Sequence, residues 1–351
     1  MTSRERVYRA LEFKSPDRAP RHLWLLPWVE KYAADSLKAL LHEFSEDFAA
    51  CPEGVLHPGD RRRGARGKDR TWVDEWGCEW EAAEYGVIGE VKHPPLADWS
   101  ALDGFTPPWE VLRLADWDVA NRARQANLAG AQKFMLAGTV TGHFTTVRPF
   151  ERMQFLRGSE NLYIDLGYAT PEVFRLRDML HEFYLEELRG WAKTDCDGIC
   201  FMDDWGSQNS LLINPEMWRD IFKPLYKDYC ELIHKGGKKV FFHSDGFIFD
   251  IYEDLIEVGI DAVNSQLFCM DIEEIGRRFN GRITFWGEID RQQVLSFGSV
   301  EDVRGAVGRV RRSLDDGAGG VIAQCEWGTR NPPENIRAVF DAWASPIEQL
   351  P

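Results

Sequence analysis

The second half of the chain alternates short, almost continuously apolar runs with longer amphipathic stretches, and this alternation limits the fold more than any other feature. The apolar runs are residues 133–141, 198–203, 239–243, 261–265, 282–288 and 320–325. A strand that is buried on both faces has this composition, because helices cover both sides of a parallel sheet. The alternation therefore predicts an α/β fold built on a parallel sheet.

Helix start and stop signals separate these runs. Thr170 and Asn214 each precede a proline at the expected first helical position, and Ser299 begins a capping box with Asp302. Glycines follow the expected helices, for example Gly259, where the chain turns into the next strand. The helices are thus predicted to fill the intervals between the strands.

The number of strands favours a closed barrel over an open sheet. A seventh strand is predicted at 19–25, and the region 70–95 supplies a further, ambiguous one that alternates like a hairpin. About eight strands in a chain of this length are typical of a (β/α)8 TIM barrel. We therefore expect a single domain over residues 1–351, with an N-terminal helical extension and a β-hairpin insertion at 70–95.

Composition excludes several classes of partner. The chain carries 42 basic and 57 acidic side chains, a formal charge of −15, which argues against nucleic acid and against an anionic membrane surface. No apolar run reaches the roughly 18–20 residues of a membrane span. The N-terminus has no apolar signal core, and the seven cysteines form no C-x-x-C pair. These features predict a cytoplasmic protein, with a homodimer left open beside a monomer.

Polar residues at the predicted strand ends are the candidate site. The active site of a (β/α)8 barrel lies at the carboxyl ends of its strands. We expect catalytic roles for Asp203, Asp204, His143 and Glu288. We expect substrate-binding roles for His22, Trp24, Trp205, Asn264, Gln266 and Gln324.

Two strand ends combine an imidazole with a thiol. His243 and Cys325 would face the same mouth of a closed barrel, with Asp245 or Glu288 as a third ligand. Three such ligands and one open position describe a catalytic zinc site, and nitrogen and sulfur donors favour zinc over magnesium. A strand-end histidine that only donates hydrogen bonds or protons, and a cysteine that is only a buried thiol, remain open alternatives.

Familiar catalytic motifs of other classes are absent. The chain has no G-x-x-x-x-G-K-[ST], no G-x-S-x-G and no H-E-x-x-H sequence. The glycines at 317–320 follow a helix and precede a strand, which is the wrong order for a dinucleotide fingerprint. The sequence thus contains none of the usual motifs for phosphoryl transfer, nicotinamide redox chemistry or serine hydrolysis.

At these residues the chain resembles the uroporphyrinogen decarboxylase superfamily. The resemblance extends over the stretches 2–20, 203–206, 214–218, 243–246, 258–264, 287–290 and 332–335. It implies a (β/α)8 barrel. True decarboxylases of this superfamily bind their tetrapyrrole with a segment of the kind R-Q-A-G-R-Y, but residues 21–28 here read Arg-His-Leu-Trp-Leu-Leu-Pro-Trp. The resemblance is therefore closer to the corrinoid-dependent methyltransferase branch.

That branch holds zinc through a His-x-Cys strand end and a later cysteine. His243 and Cys325 match the pattern, whereas Asp245 stands where the first cysteine would be. Aspartate is itself a zinc ligand, so the resemblance implies zinc bound by His243, Asp245 and Cys325.

Three functional hypotheses follow from this resemblance. The first is a methyltransferase acting on a small methylated compound; because the chain has no D-x-H-x-x-G corrinoid motif, the corrinoid would be carried by a separate partner protein. The second is a metal-free decarboxylase that binds a carboxylate through Arg21 and Arg148. The third is a non-catalytic protein that binds a tetrapyrrole or corrinoid.

Overall fold

Strands in the computed structural model form one large parallel sheet and one small antiparallel sheet. The structure describes residues 1–52, 54–64, 69–83, 89–138 and 147–351. In chain order the strands are β1 (Arg21–Leu25), β2 (Phe48–Ala50), β3 (Thr71–Val73), β4 (Glu79–Glu81), β5 (Glu90–His93), β6 (Phe134–Ala137), β7 (Gly198–Met202), β8 (Lys239–Ser244), β9 (Ala262–Ser265), β10 (Thr284–Trp286) and β11 (Val321–Trp327).

Helices occupy most of the intervals between these strands. They are α1 (Ser3–Leu11), α2 (Pro27–Tyr32), α3 (Ala34–Glu43), α4 (Trp109–Arg113), α5 (Trp117–Ala129), α6 (Pro149–Arg157), α7 (Ser159–Tyr168), α8 (Pro171–Ala192), α9 (Pro215–Ile221), α10 (Lys223–Lys235), α11 (Tyr252–Val258), α12 (Ile272–Phe279), α13 (Val294–Phe297), α14 (Val300–Leu314) and α15 (Pro333–Ala344). Short 3-10 turns lie at Trp99–Gly104, Phe249–Ile251, Leu267–Cys269 and Ile347–Gln349.

The large sheet is a nearly closed (β/α)8 barrel, as predicted. Its strand order is β1-β11-β10-β9-β8-β7-β6-β2, and every pair in it is parallel. The two end strands meet through a backbone hydrogen bond of 2.9 Å from the Asp47 nitrogen to the Arg21 oxygen. The Asp47 side chain also accepts a bond of 2.7 Å from the Arg21 nitrogen. The sheet is thereby held as a cylinder.

Local sequence signals fix several helix ends. Thr170 is the N-cap of α8 with Pro171 at the first helical position, and the Asn214 side chain accepts a bond from the Glu216 nitrogen at the start of α9. Ser299 and Asp302 form the capping box of α14. Gly259 ends α11 with a φ of 102°, a conformation that is unstrained for glycine because it lacks Cβ.

The barrel strands bury both faces because their side chains alternate in direction. Phe48, Phe134, Phe241, Trp286 and Ile322 belong to a cluster inside the barrel. The residues next to them on the same strands point the opposite way and join the larger cluster, which lies between the strands and the helices. Helix α1 covers the amino-terminal end of the barrel, where its Val7 and Leu11 join the inner cluster.

One barrel strand differs from the sequence-based expectation. The eighth strand is β2, Phe48–Ala50, which pairs in parallel with β6. The region 70–95 instead contains the separate antiparallel sheet β3-β4-β5. A three-residue strand of sequence Phe-Ala-Ala has too short a pattern to be recognised, whereas the alternating tryptophans of β3 and β4 give a clear hairpin signal.

Among the described residues, no helix has both the length and the apolar composition that crossing a bilayer requires.

Candidate functional site

A histidine and two aspartates converge at the carboxyl ends of β7 and β8. One ligand atom from each of Asp204, His243 and Asp245 lies within 4.8 Å of the others. The Nε2 atom of His243 is 3.7 Å from Asp204 Oδ1 and 3.6 Å from Asp245 Oδ1. His243 is buried, whereas about a third of each aspartate side chain is exposed (33% and 32%), so the group is open on the mouth side.

Pairing between two loops brings the aspartates together. After β7 and β8 end, backbone bonds continue from the Asp203 nitrogen to the His243 oxygen (3.0 Å) and from the Gly206 nitrogen to the Asp245 oxygen (3.1 Å). The loops cross so closely that a Cβ atom at Gly206 would overlap the backbone of Gly246. Glycine at both positions therefore permits the approach that sets the aspartates beside His243.

The hydrogen bonds of His243 define which nitrogen carries its proton. Asn264 donates through Nδ2 to the Trp286 carbonyl oxygen, so its Oδ1 must be the atom that faces His243 Nδ1 at 2.6 Å. The proton of neutral His243 is thereby assigned to Nδ1. Its Nε2 then directs a lone pair towards the two aspartates. A metal ion between these three groups, or a second proton on Nε2, would turn this repulsion into attraction.

Arg291 holds Asp245 in place from the outer side. Its Nη2 donates to Asp245 Oδ2, Nη1 lies 3.3 Å from Glu326 Oε2, and Nε lies 3.8 Å from Glu288 Oε1. The other oxygen of Asp245, Oδ1, is buried and has no hydrogen-bond partner among the described residues. This oxygen is therefore available to a ligand beside His243.

A cavity of about 210 Å³ is connected to this group through Arg291, which lines the cavity and donates to Asp245. Its lining residues are Gln208, Gln266, Phe268, Cys269, Glu288, Asp290, Arg291, Gln292 and Gln293. Glu288 is 2% exposed, and its Oε2 atom has no hydrogen-bond partner in the described part of the chain. Burial, and then the neighbouring carboxylates Asp245 and Glu326, raise the pKa of Glu288 well above its ordinary value.

Cys325 does not join the metal-binding group, in contrast to the sequence-based expectation. Its neighbours in β11, Gln324 and Glu326, turn towards Asn264 and Arg291 inside the barrel and at its mouth. Cys325 points the other way and is fully buried in the cluster between strands and helices. Burial raises the pKa of its thiol far above the ordinary value, so it stays protonated. The two-residue period of a strand places it on the wrong face.

Asp203 has a position that conflicts with the predicted catalytic role. Its carboxylate accepts bonds from the backbone nitrogens of Phe150 (2.9 Å) and Glu151 (2.8 Å) at the start of α6, and from the Tyr226 hydroxyl (2.9 Å). Burial raises its pKa to about 7, although these donors act in the opposite direction. Asp203 thus anchors α6 rather than facing the cavity.

Trp205 also lies in the core rather than in a substrate pocket. Its ring is fully buried, stacks on Phe150 with ring centroids 4.2 Å apart, and donates to the Tyr226 hydroxyl at 2.7 Å. The predicted substrate contact is therefore not supported by this position.

His22 lies deeper inside the barrel than the metal-binding group. It stacks between Phe48 (4.3 Å) and Trp286 (5.5 Å), and its Nδ1 accepts a bond from Trp286 Nε1. Trp24, two residues later, sits edge-on to His243 with centroids 5.2 Å apart. Trp24 is therefore at the level of the site, whereas the substrate contact predicted for His22 conflicts with its stacked position.

The environment of His22 predicts a pH dependence of stability. Burial lowers its pKa to about 3, whereas an unfolded histidine has a pKa of about 6.5. Between these values the unfolded chain binds a proton that the folded chain does not, so stability is lost as the pH falls below about 6.5. From pH 7.5 to 5.0 the wild type should lose about 2 kcal/mol more unfolding free energy than His22→Asn, measured by urea denaturation. Equal losses in both proteins would contradict the assignment.

The remaining predicted residues occupy several positions. Asn264 contacts His243, and Gln324 contacts Asn264 at 3.1 Å. Gln266 lines the cavity and accepts a bond from the Gly246 nitrogen. Their roles towards a substrate stay predictions. His143 lies in 139–146, outside the described residues.

The two arginines expected for carboxylate binding lie in different places. Arg21 begins β1, at the amino-terminal end of the barrel, and its guanidinium lies 5.0 Å from the centre of the Phe44 ring. Arg148 lies 4.0 Å from the Glu151 carboxylate, and its charge acts to lower the pKa of Asp204, so Arg148 is near the site. At the cavity itself, an incoming carboxylate would meet Glu288 and Asp290 beside Arg291.

Sequence reasoning assigned no role to three charged residues at the mouth. Arg291 and Glu326 follow or end predicted strands, so the sequence already indicated that they lie near the site. Glu151 lies in the first turn of α6, well past the end of β6, so no strand end indicated it. Burial, and then Asp204, raise its pKa well above the ordinary value. The mouth therefore carries more carboxylates than the sequence indicated.

Comparisons with known proteins agree with this architecture. The family model described as uroporphyrinogen decarboxylase (URO-D) matches residues 77–345. A search of curated proteins finds no match. The chain is similar to a methyltransferase from Methanosarcina mazei, with a TM-score of 0.71, 16% identity and coverage of 98% of each chain.

Weaker structural similarities carry no functional argument. An endo-β-1,4-xylanase from Gloeophyllum trabeum has a TM-score of 0.45 at 10% identity, covering 96% of this chain and 98% of that one. A D-psicose 3-epimerase has a TM-score of 0.41 at 14% identity, covering 71% and 91%. The family match extends over most of the chain and includes the elements that carry Asp204, His243 and Asp245. The chain belongs to the uroporphyrinogen decarboxylase (URO-D) family.

Proposed function

We propose that this protein is a methyltransferase that moves a methyl group between a small methylated compound and a corrinoid carried by a partner protein, assisted by a zinc ion. Family membership supports a methyltransferase-like or a decarboxylase-like role. The observation that carries the choice is the convergence of His243 Nε2 with the carboxylates of Asp204 and Asp245. Three anionic or lone-pair donors at one point are suited to a metal ion rather than to a carboxylate substrate.

The geometry of these residues fits a zinc ion. Tetrahedral zinc with bonds of about 2.0–2.2 Å needs donors about 3.3–3.6 Å apart. Nε2 of His243 lies 3.7 and 3.6 Å from the nearest aspartate oxygens, and Asp245 Oδ1 is without another partner in the described chain. The proposed ligands are thus Asp204, His243 and Asp245, with Asp204 in place of Cys325. A fourth position would face the cavity.

The surrounding residues orient the proposed ligands. Asn264 fixes the ring and the tautomer of His243, and Arg291 fixes Asp245. When bound, zinc would supply a Lewis acid that stabilises the lone pair left on the heteroatom as its methyl group departs. Glu288 lies at the wall of the cavity, where its carboxyl group can exchange a proton with the product after the methyl group has left.

The size of the cavity supports a small substrate. Its volume of about 210 Å³, as outlined by the described residues, is below the roughly 300 Å³ at the lower limit of typical drug-sized pockets. The corrinoid is proposed to approach the mouth on its own protein, since the chain carries no D-x-H-x-x-G motif.

A methyl-transfer assay tests the proposal. The zinc-loaded protein is mixed with free cob(I)alamin and a panel of methoxy, methylthio and methylamino compounds, and formation of methylcobalamin is followed by absorbance. We expect turnover with one donor class, loss of turnover after chelation, and recovery when zinc is returned. Release of carbon dioxide from carboxylic acids without methyl transfer would contradict the proposal and favour the decarboxylase alternative.

A further inference from the structure

The charges around the cavity are unbalanced. Arg291 is the basic residue in the cavity lining, and three carboxylates surround its guanidinium: Asp245, Glu288 and Glu326. Asp290 adds a further carboxylate to the lining. One guanidinium therefore faces more negative charge than it can neutralise. The low-dielectric wall strengthens the resulting field inside the cavity.

Glu288 provides an observation that is independent of the number of acidic groups. It is 2% exposed and lines the cavity, yet its Oε2 atom has no hydrogen-bond partner among the described residues. A buried carboxyl oxygen without a partner is costly, so a missing group is expected to occupy the space in front of it. Arg291 cannot supply that group, because its contact with Glu288 is to the other oxygen, Oε1.

The rest of the lining is suited to a compact organic cation. Four carboxamides, from Gln208, Gln266, Gln292 and Gln293, offer oxygens as acceptors, and the Phe268 ring offers an apolar wall for methyl groups. A cavity of about 210 Å³ holds a small molecule rather than a chain. We propose that this cavity selects a small methylated ammonium compound, held beside Glu288, as the methyl donor of the site. In the transfer the corrinoid cobalt(I) supplies the electron pair of the new Co–C bond, and the pair of the broken C–N bond stays on the neutral amine that leaves. This inference rests on the proposed function, because it names the substrate class of the same site.

Isothermal titration with three probes of similar shape tests the proposal directly. The probes are choline, its uncharged carbon analogue 3,3-dimethylbutan-1-ol, and the anion 3,3-dimethylbutanoate. We expect choline to bind at least 10-fold more tightly than the alcohol, and the anion not to saturate. Equal affinity for choline and the alcohol, or tighter binding of the anion, would overturn the proposal.

Two variants test whether Glu288 causes the preference for choline over the alcohol. Glu288→Gln keeps the shape of the side chain and replaces the ionisable group, so it should reduce the preference for choline over the alcohol to within about 3-fold. Glu231→Gln, which removes an exposed carboxylate on α10, should leave the preference unchanged. A preference that survives Glu288→Gln would refute the role of this residue.

The binding measurement and the methyl-transfer assay can be interpreted independently of each other. Binding is measured without cobalamin and does not require turnover. Methyl transfer from an ether or thioether without any preference for choline would reject the ammonium class and retain the methyltransferase. A preference for choline without methyl transfer from any donor would retain the cation site and reject the proposed reaction.

Discussion

The Asp204→Asn variant is expected to lose stoichiometric zinc and to lower kcat/KM for methyl transfer by about 1000-fold. Removing one of three ligands weakens metal binding, and loss of Lewis-acid assistance removes several kcal/mol of transition-state stabilisation. Asparagine preserves the shape of this partly exposed side chain, so folding is retained. His243→Ala should have the same effect, and elemental analysis together with initial rates measures both variants.

Cys325→Ala is the matched control for this prediction. Cys325 is buried between strands and helices on the face opposite to the cavity, so its replacement should leave zinc content and methyl transfer within about 2-fold of wild type. Loss of zinc in Cys325→Ala together with its retention in Asp204→Asn would contradict the ligand assignment.

Asp203→Ala is expected to lower the free energy of unfolding by about 3 kcal/mol. The substitution leaves two backbone nitrogens at the start of α6 and the Tyr226 hydroxyl without their acceptor. Urea denaturation measures the loss. Asp204→Asn, one residue later, should stay within about 0.5 kcal/mol of wild type, because its side chain faces the open mouth. Equal destabilisation by both substitutions would contradict the assignment of Asp203 to the fold and of Asp204 to the site.

The barrel could be predicted because its signals are local and repeated. A few consecutive residues are enough to recognise an apolar run such as Lys239–Ser244 or a helix cap such as Ser299. The strand Phe48–Ala50 could not be recognised, since three residues of weak β propensity depend on pairing with β6, which is distant in sequence.

The site could be predicted in part. Strand ends placed Asp204, His243 and Asp245 in the right region, because parallel strands in a barrel share one mouth. Where a strand extends beyond its predicted end, the sequence did not show which face of the sheet each side chain points to. β11 extends to Trp327, and this continuation puts Cys325 on the outer face between Gln324 and Glu326. Likewise, the choice between Asp203 and Asp204 depends on which of them meets the start of α6, a contact between segments 53 residues apart.

Anomalous diffraction at the zinc edge, from crystals of the zinc-loaded protein, tests the central claim most directly. The account predicts one strong peak about 2.0–2.2 Å from His243 Nε2 and from an oxygen of each of Asp204 and Asp245, with no sulfur ligand. A peak bonded to Cys325 at about 2.3 Å, or no peak near His243 at saturating zinc, would contradict it.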